Sequence, residues 1–313
     1  MSKQIILVEP RGFCAGVARA IKILDLALER TDGQVYVRHQ IIHNRRVVRD
    51  YEEKGVRFVE SLNEVPEGSI VVLSAHGTSP EVFKKAKKKK LIVVDGVCPL
   101  VTKVHLEAKR LVGAGYFVIY VGHRGHQEGI GVLGEIPKGK GLLIENIKEA
   151  RECRLPDGAE KVGVLTQTTL NYDEVLEVIE ELQGRFPDLK LPPGGDICYA
   201  TKGRQGAVIK LAKEVGVVIV VGSEESSNSK QLRERAEEQG VKSYLVDDVN
   251  QIKREWFEGK DKIGVTAGAS GPDYLVEEII EKIKEITKGE VKDLIVEEDK
   301  VEFSNLPKEL ELI

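Results

Sequence analysis

At 313 residues the chain is too long for one hydrophobic core and is expected to hold two or three domains. Hydrophobic residues make up 41% and charged residues 31%, the mix of an ordinary globular protein, and a net charge of −4 argues against a nucleic-acid partner, which calls for a basic surface. The longest apolar run, Val215 to Val221, is interrupted by Gly216 and far too short to span a bilayer. Met1-Ser-Lys-Gln lacks the apolar core of a secretory signal, and the 4 Cys lie too far apart for a disulfide framework, so a reducing cytoplasm is expected.

In chain order, a strand at Ile5–Val8 runs into Pro10-Arg-Gly-Phe-Cys14, and a helix over 15–30 follows, with Val17, Ile21, Leu24 and Leu28 on one face. Strand 35–38 leads to His39-Gln-Ile-Ile-His43-Asn-Arg, then a helix from 45 to 54 stops at Gly55. Strands at 56–59 and 70–74 follow, the second opening into Ala75-His76-Gly-Thr-Ser-Pro80, where Pro suits the first position of a helix. Strand 91–94 then reaches Cys98. The second segment repeats the plan with helix 100–112, strand 116–121, the loop Gly122 to Glu128 containing His126, strands near 142–144 and 161–165, the loop Thr166-Gln-Thr168-Thr169, helix 173–183 and Cys198. The third runs helix 203–215, strand 217–221, loop 222–228, helix 229–239, strands 243–246 and 263–266, loop 267–272 and helix 273–287. Residues 289–313 read as a strand plus a surface tail.

The spacing marks an internal repeat. Cys14 to His43, Cys98 to His126 and Cys198 to Ser226 are steps of 29, 28 and 28 residues. Cys14 to His76, Cys98 to Thr168 and Cys198 to Ser270 are steps of 62, 70 and 72. Strands alternating with helices imply parallel sheets with right-handed crossovers, and ligands bind beyond the carboxyl ends of such strands. The fold class expected is α/β: three similar lobes with small parallel sheets, in pseudo-threefold arrangement around a central site. The lobes are 15–97, 98–195 and 196–288, with strand 1–14 closing the third and 289–313 as a C-terminal tail.

Each repeated Cys stands where a strand hands over to a helix, and a helix N-terminus favours thiolate over thiol. Cys14, Cys98 and Cys198 therefore suggest one soft-metal site, for zinc or an iron–sulfur cluster. Close Cys-x-x-Cys pairs, the usual mark of structural zinc, are missing. Cys153 lies outside the repeat and reads as structural. His43, His76 and His126, with Ser226, Ser227, Asn228, Ser270 and Thr168, fall in equivalent polar loops and offer donors suited to a diphosphate. The same Ser and Thr residues could serve as helix caps. Glu128, two residues from His126, is the acid placed to transfer protons. Gly129-Ile-Gly-Val-Leu-Gly134 matches a dinucleotide fingerprint by letters, but Pro137 follows where a helix should. The lysines from Lys84 to Lys90 read as a solvated basic helix end.

At these residues the sequence resembles the 4-hydroxy-3-methylbut-2-enyl diphosphate reductase (LytB/IspH) family. The likeness is carried by Pro10-Arg-Gly-Phe-Cys14-Ala-Gly-Val, Val37-Arg-His-Gln-Ile-Ile-His43-Asn-Arg, Ser74-Ala-His76-Gly, Cys98-Pro-Leu-Val-Thr-Lys-Val-His, Gly125-His126-Gln-Glu128, Thr166-Gln-Thr-Thr-Leu, Asp196-Ile-Cys198-Tyr-Ala-Thr, Gly222 to Ser229 and Val265-Thr-Ala-Gly-Ala-Ser270. The resemblance implies a 4Fe-4S cluster on Cys14, Cys98 and Cys198 with one open iron as Lewis acid. It implies diphosphate binding by His43, His76, His126, Ser226, Asn228 and Ser270, proton delivery by Glu128, and placement of the substrate hydroxyl by Thr168. The implied reaction removes an allylic hydroxyl with two electrons, giving isopentenyl and dimethylallyl diphosphate. An electron donor such as ferredoxin or flavodoxin and a monomeric enzyme are expected with it.

Overall fold

A computed structural model describes residues 3–313. They form three parallel β-sheets and ten α-helices, and the chain divides into two compact units. One unit holds the stretch ending at Ala18 with Ile42–Lys54 and Tyr199–Glu302; the other holds Arg19–Ile41, Gly55–Cys198 and Phe303–Ile313.

The first unit is built on a five-stranded sheet. Its strands are β1 (Gln4–Glu9), β9 (Val217–Val221), β10 (Ser243–Val246), β11 (Lys262–Ala267) and β12 (Glu290–Ile295), in the order β10-β9-β11-β1-β12. Its helices are α2 (Arg45–Glu53), α8 (Tyr199–Ala212), α9 (Ser227–Glu238) and α10 (Asp273–Thr287). The strand sequences are unbroken apolar runs because both faces are covered. Ile5, Leu7, Val217, Ile219 and Val221 pack with α10 on one face; Ile6, Val8, Val218 and Val220 pack with Val208, Leu211 and Leu232 of α8 and α9 on the other.

The second unit carries two sheets. One takes β2 (Val35–Arg38), β3 (Arg57–Val59), β4 (Ile70–Leu73) and β5 (Ile92–Asp95) in the order β3-β2-β4-β5, with α3 (Pro80–Lys88) between β4 and β5. The other takes β6 (Phe117–Val121), β7 (Gly141–Ile144) and β8 (Val162–Thr166) in the order β7-β6-β8, with a parallel bridge from Gly163 to Lys190 in the fourth place. Around it stand α4 (Pro99–Gly113), α5 (Gln127–Leu133), α6 (Ile147–Glu152) and α7 (Tyr172–Arg185). The remaining helix, α1 (Ala15–Glu29), contains the division between units.

All three sheets follow one plan: second, first, third, fourth. In the five-stranded sheet the fourth place is filled by β1, paired with β11 from Gln4↔Lys262 to Leu7↔Val265, as the repeat required. In that order the chain leaves the first and third strands toward opposite sides, so the loops following these two neighbours flank a topological switch point.

Three elements depart from the sequence reading. Residues 127–133, read as loop running into a glycine-rich segment, form α5, and 147–152 form α6. The tail is more than surface: β12 joins the sheet edge, and Leu310, within a turn at Lys308–Leu312, is only 2% exposed, with its carbonyl accepting from Arg30 Nη1 at 2.5 Å.

Candidate active site

The three repeated cysteines are delivered alike. Cys14 follows β1 and precedes α1; Cys98 follows β5 and caps α4; Cys198 follows the Lys190 bridge and precedes α8. Each backbone N–H donates to a carbonyl in the loop after the third strand of its sheet: Cys14 to Ala269 at 3.3 Å, Cys98 to Ala75 at 3.0 Å, Cys198 to Thr168 at 3.2 Å. All three are half-buried, and none is in a disulfide. Among the described residues no three His, Cys, Asp or Glu side chains form a ready grip for a single metal ion. A polynuclear cluster asks for something different, one sulfur for each of several irons, and three separately anchored, half-buried thiols fit such a soft group. Cys153 differs: it is buried in the apolar core of its sheet, donates to Ala150 O and accepts from Arg185 Nη1, as a structural residue does.

In the first unit the loops after β9 and β11 meet. Ser226 caps α9 by accepting the Ser229 N–H at 3.2 Å, and Ser270 Oγ lies 3.4 Å from Ser226 Oγ. Asn228 Oδ1 accepts the Ala269 N–H at 2.7 Å. Its Nδ2 is buried with no hydrogen-bond partner among the described residues. Ser227, the first residue of α9, is also buried. Ser270 Oγ donates to His43 O at 2.9 Å, and Asn44 ties the same segments by donating from Nδ2 to Ser270 O at 2.9 Å while Oδ1 caps α2. Capping and anion binding draw on one backbone geometry, so this cradle of neutral donors at the start of α9 suits phosphoryl oxygens.

In the second unit the loops after β6 and β8 meet in the same relation. Glu128, in the first turn of α5, is 2% exposed. Its Oε1 accepts the Thr168 N–H at 2.8 Å and its Oε2 accepts the Thr168 hydroxyl at 2.9 Å. Burial, reinforced by the nearby charge of Asp196 and opposed by the Thr168 bonds, pushes the carboxyl up to about 8. It is thus an acid that holds its proton at neutral pH. His126 caps α5 with Nδ1 accepting from the Glu128 N–H at 3.2 Å, so the neutral ring carries its proton on Nε2. His76 stands edge-on to His126, ring centroids 6.1 Å apart. The other buried or half-buried histidines are tied to carboxylates, His39 to Glu60 and His105 to Glu135.

Two residues beside this acid were passed over in the sequence. Asp196 donates nothing and accepts the Thr166 N–H at 3.0 Å; burial raises it to about 6. Tyr120, fully buried in β6, has a hydroxyl without a partner among the described residues, and the charges of Glu128 and Asp196 both act on it. Asp196 had a signal, being an acid two residues before a ligand-type Cys. Tyr120 had none, since an aromatic residue in a buried strand reads as core.

Comparison with known proteins agrees with this geometry. Residues 5–284 match the family model described as LytB protein. The chain is 46% identical over 312 residues, 99% of its length and 98% of the relative's, to a 4-hydroxy-3-methylbut-2-enyl diphosphate reductase of Vibrio parahaemolyticus. It is 47% identical over 311 residues to that of Mannheimia succiniciproducens, covering 99% of this chain and 98% of the other. A solved structure of the E-1-hydroxy-2-methyl-but-2-enyl-4-diphosphate reductase from Plasmodium falciparum superposes with a TM-score of 0.94 at 34% identity, covering 100% of this chain and 98% of that one. A second solved structure, of the (E)-4-hydroxy-3-methyl-but-2-enyl diphosphate reductase described as the terminal enzyme of the non-mevalonate pathway, gives 0.65 at 36% identity over 90% of this chain and 99% of that one.

Proposed function

The chain belongs to the LytB protein family and catalyses that family's reductive dehydroxylation of 4-hydroxy-3-methylbut-2-enyl diphosphate, and from this premise we propose which residues carry the reaction. The substrate loses its allylic hydroxyl as water, takes up two electrons and two protons, and leaves as isopentenyl or dimethylallyl diphosphate. Cys14, Cys98 and Cys198 are the ligands of a 4Fe-4S cluster, supported by their identical delivery and half-burial. When bound, that group would supply the electrons and, at the iron without a protein ligand, Lewis acidity.

The remaining work falls to side chains. Ser226, Ser227, Asn228 and Ser270, with His43, His76 and His126, bind and orient the diphosphate. Neutral hydroxyl and amide donors hold an anion without changing charge over the working pH range. Glu128 holds the proton that goes out with the departing hydroxyl, and Thr168, bonded to both carboxylate oxygens, fixes that acid's direction and places the substrate hydroxyl. The observation that carries this reading is the buried Glu128–Thr168 pair, an acid kept protonated near neutrality at the end of adjacent strands. We extend the proposal to a soluble one-electron carrier such as ferredoxin or flavodoxin, a monomeric state and the cytoplasm. No helix among the described residues is long and apolar enough to cross a membrane, and the absence of disulfide pairing suits a reducing compartment.

The test is anaerobic turnover by Glu128→Gln. The variant is expected to keep wild-type iron content and colour while losing turnover; undiminished turnover would take Glu128 out of the proton path.

A further inference from the structure

The helix that follows each proposed ligand bears a cation near its start: Arg19, fifth residue of α1; Lys103, fifth of α4; Arg204, sixth of α8. None of the three heads is spent on a simple surface ion pair. Arg19 donates from Nη1 to Val97 O at 2.9 Å, the residue before Cys98, and from Nε to Asn305 O at 2.7 Å. The Val97 N–H is held from the other side by Asp95 Oδ1 at 3.0 Å, so both polar atoms of that residue's backbone are pinned. Lys103 Nζ donates to Pro193 O at 2.7 Å and to Gly195 O at 2.8 Å, on the approach to Cys198. Arg204 is wholly buried and donates to Gly12 O from Nη2 at 2.9 Å and from Nε at 3.2 Å, two residues before Cys14. Its Nη1 reaches Ala200 O and Asp299, each at 3.2 Å.

The three contacts follow one rule. The helix after the first cysteine holds the loop before the second, the helix after the second holds the loop before the third, and the helix after the third returns to the loop before the first. A buried guanidinium is costly to desolvate, and Arg204 has one carboxylate partner only, so a carbonyl latch is where its remaining donors are satisfied. A long flexible cation at these three places could equally have turned to solvent; each is instead bonded to the backbone of the next loop.

We propose that Arg19, Lys103 and Arg204 are positioning residues for the cluster, each fixing the loop that delivers the next cysteine and bringing one positive charge toward the thiolates. This rests on the ligand assignment above, and the test separates the two. Hydrogen exchange on metal-free protein reads the latches alone, since each loop has backbone-bonded amides at Gly12 and Cys14, at Cys98, and at Gly195 and Cys198. Arg19→Gln is expected to speed exchange at Val97 and Cys98 about tenfold or more, the equivalent of one lost charge-assisted hydrogen bond, with the other two loops unchanged. Lys103→Met should do the same at Gly195 and Cys198, and Arg204→Gln at Gly12 and Cys14. After anaerobic reconstitution each variant should release iron to a chelator about tenfold faster than wild type. The cluster's reduction potential should fall in Arg19→Gln and stay near wild type in Arg19→Lys. If Arg204→Gln does not fold, Arg204→Lys and the two half-buried positions decide. Unchanged exchange at the matching loop, or exchange rising evenly over the chain, overturns the latches. Wild-type protein that takes up no iron overturns the ligand assignment and the cluster role together, while the exchange pattern still judges the loop-fixing.

Discussion

The loops after β9 and β11 and the loops after β6 and β8 hold equivalent places in their sheets, yet they are furnished differently. The first pair gathers Ser226, Asn228 and Ser270, all neutral and mutually hydrogen-bonded, with Asn44 bracing them. The second pair buries Glu128 beside Asp196, with Thr168 bonded to the acid. One backbone plan thus serves two electrostatic tasks. Neutral donors suit a ligand whose charge is permanent, because the site never has to change state. A desolvated carboxyl suits a proton in transit, because burial moves its affinity into the working pH range.

Four experiments would break or sharpen that contrast. The largest effect should come from what the two regions share: Cys14→Ser, Cys98→Ser or Cys198→Ser is expected to cut iron content and turnover to background, read by metal analysis and anaerobic assay. Next, Glu128→Gln should lower kcat by about 10²–10⁴-fold with KM and iron little changed. If KM rose instead, the second region would be a binding site like the first. Third, Ser270→Ala or Asn228→Ala should raise KM about 10–100-fold, as expected for one lost hydrogen bond to a charged group, with a smaller fall in kcat.

The fourth and smallest is a stability difference. The folded-state pKa of Glu128, about 8, stands above its ordinary value near 4.5. Between those values the native state binds the proton and the unfolded state has lost it, so stability falls as pH rises from about 4.5 to about 8. Asp196, raised to about 6, adds to the lower part of that window. Urea unfolding of Glu128→Gln should show a flatter profile than wild type up to pH 8 and greater relative stability above it, whereas Ser270→Ala should run parallel to wild type. A parallel profile for Glu128→Gln would mean that the carboxyl is already ionised in the fold.

Much of this was legible beforehand. The strand–Cys–helix repeat located all three ligand candidates, and the repeat logic placed the first strand in the last sheet, as its pairing with β11 bears out. α5 was not legible. Gly129 and Gly131 weaken a helix on local grounds. A Cβ at Gly129 would stand 3.1 Å from Tyr120 Cε1, and one at Gly131 3.1 Å from His105 Nε2, so these glycines let the helix lie close against its neighbours. Long-range packing overrides propensity there, and the same packing sets Glu128 at the helix start.

The amino-acid order alone determined the strands, most helices, the threefold repeat and the donor types, since these follow from periodicity and spacing within a few dozen residues. Only the tertiary structure decided that Glu128 is a protonated acid, that each ligand-type Cys is tied to the loop beyond a third strand, and that Arg19, Lys103 and Arg204 reach carbonyls 78 to 192 positions away. Burial and pairing between distant segments set proton affinity and loop position, and neither quantity exists until those segments meet.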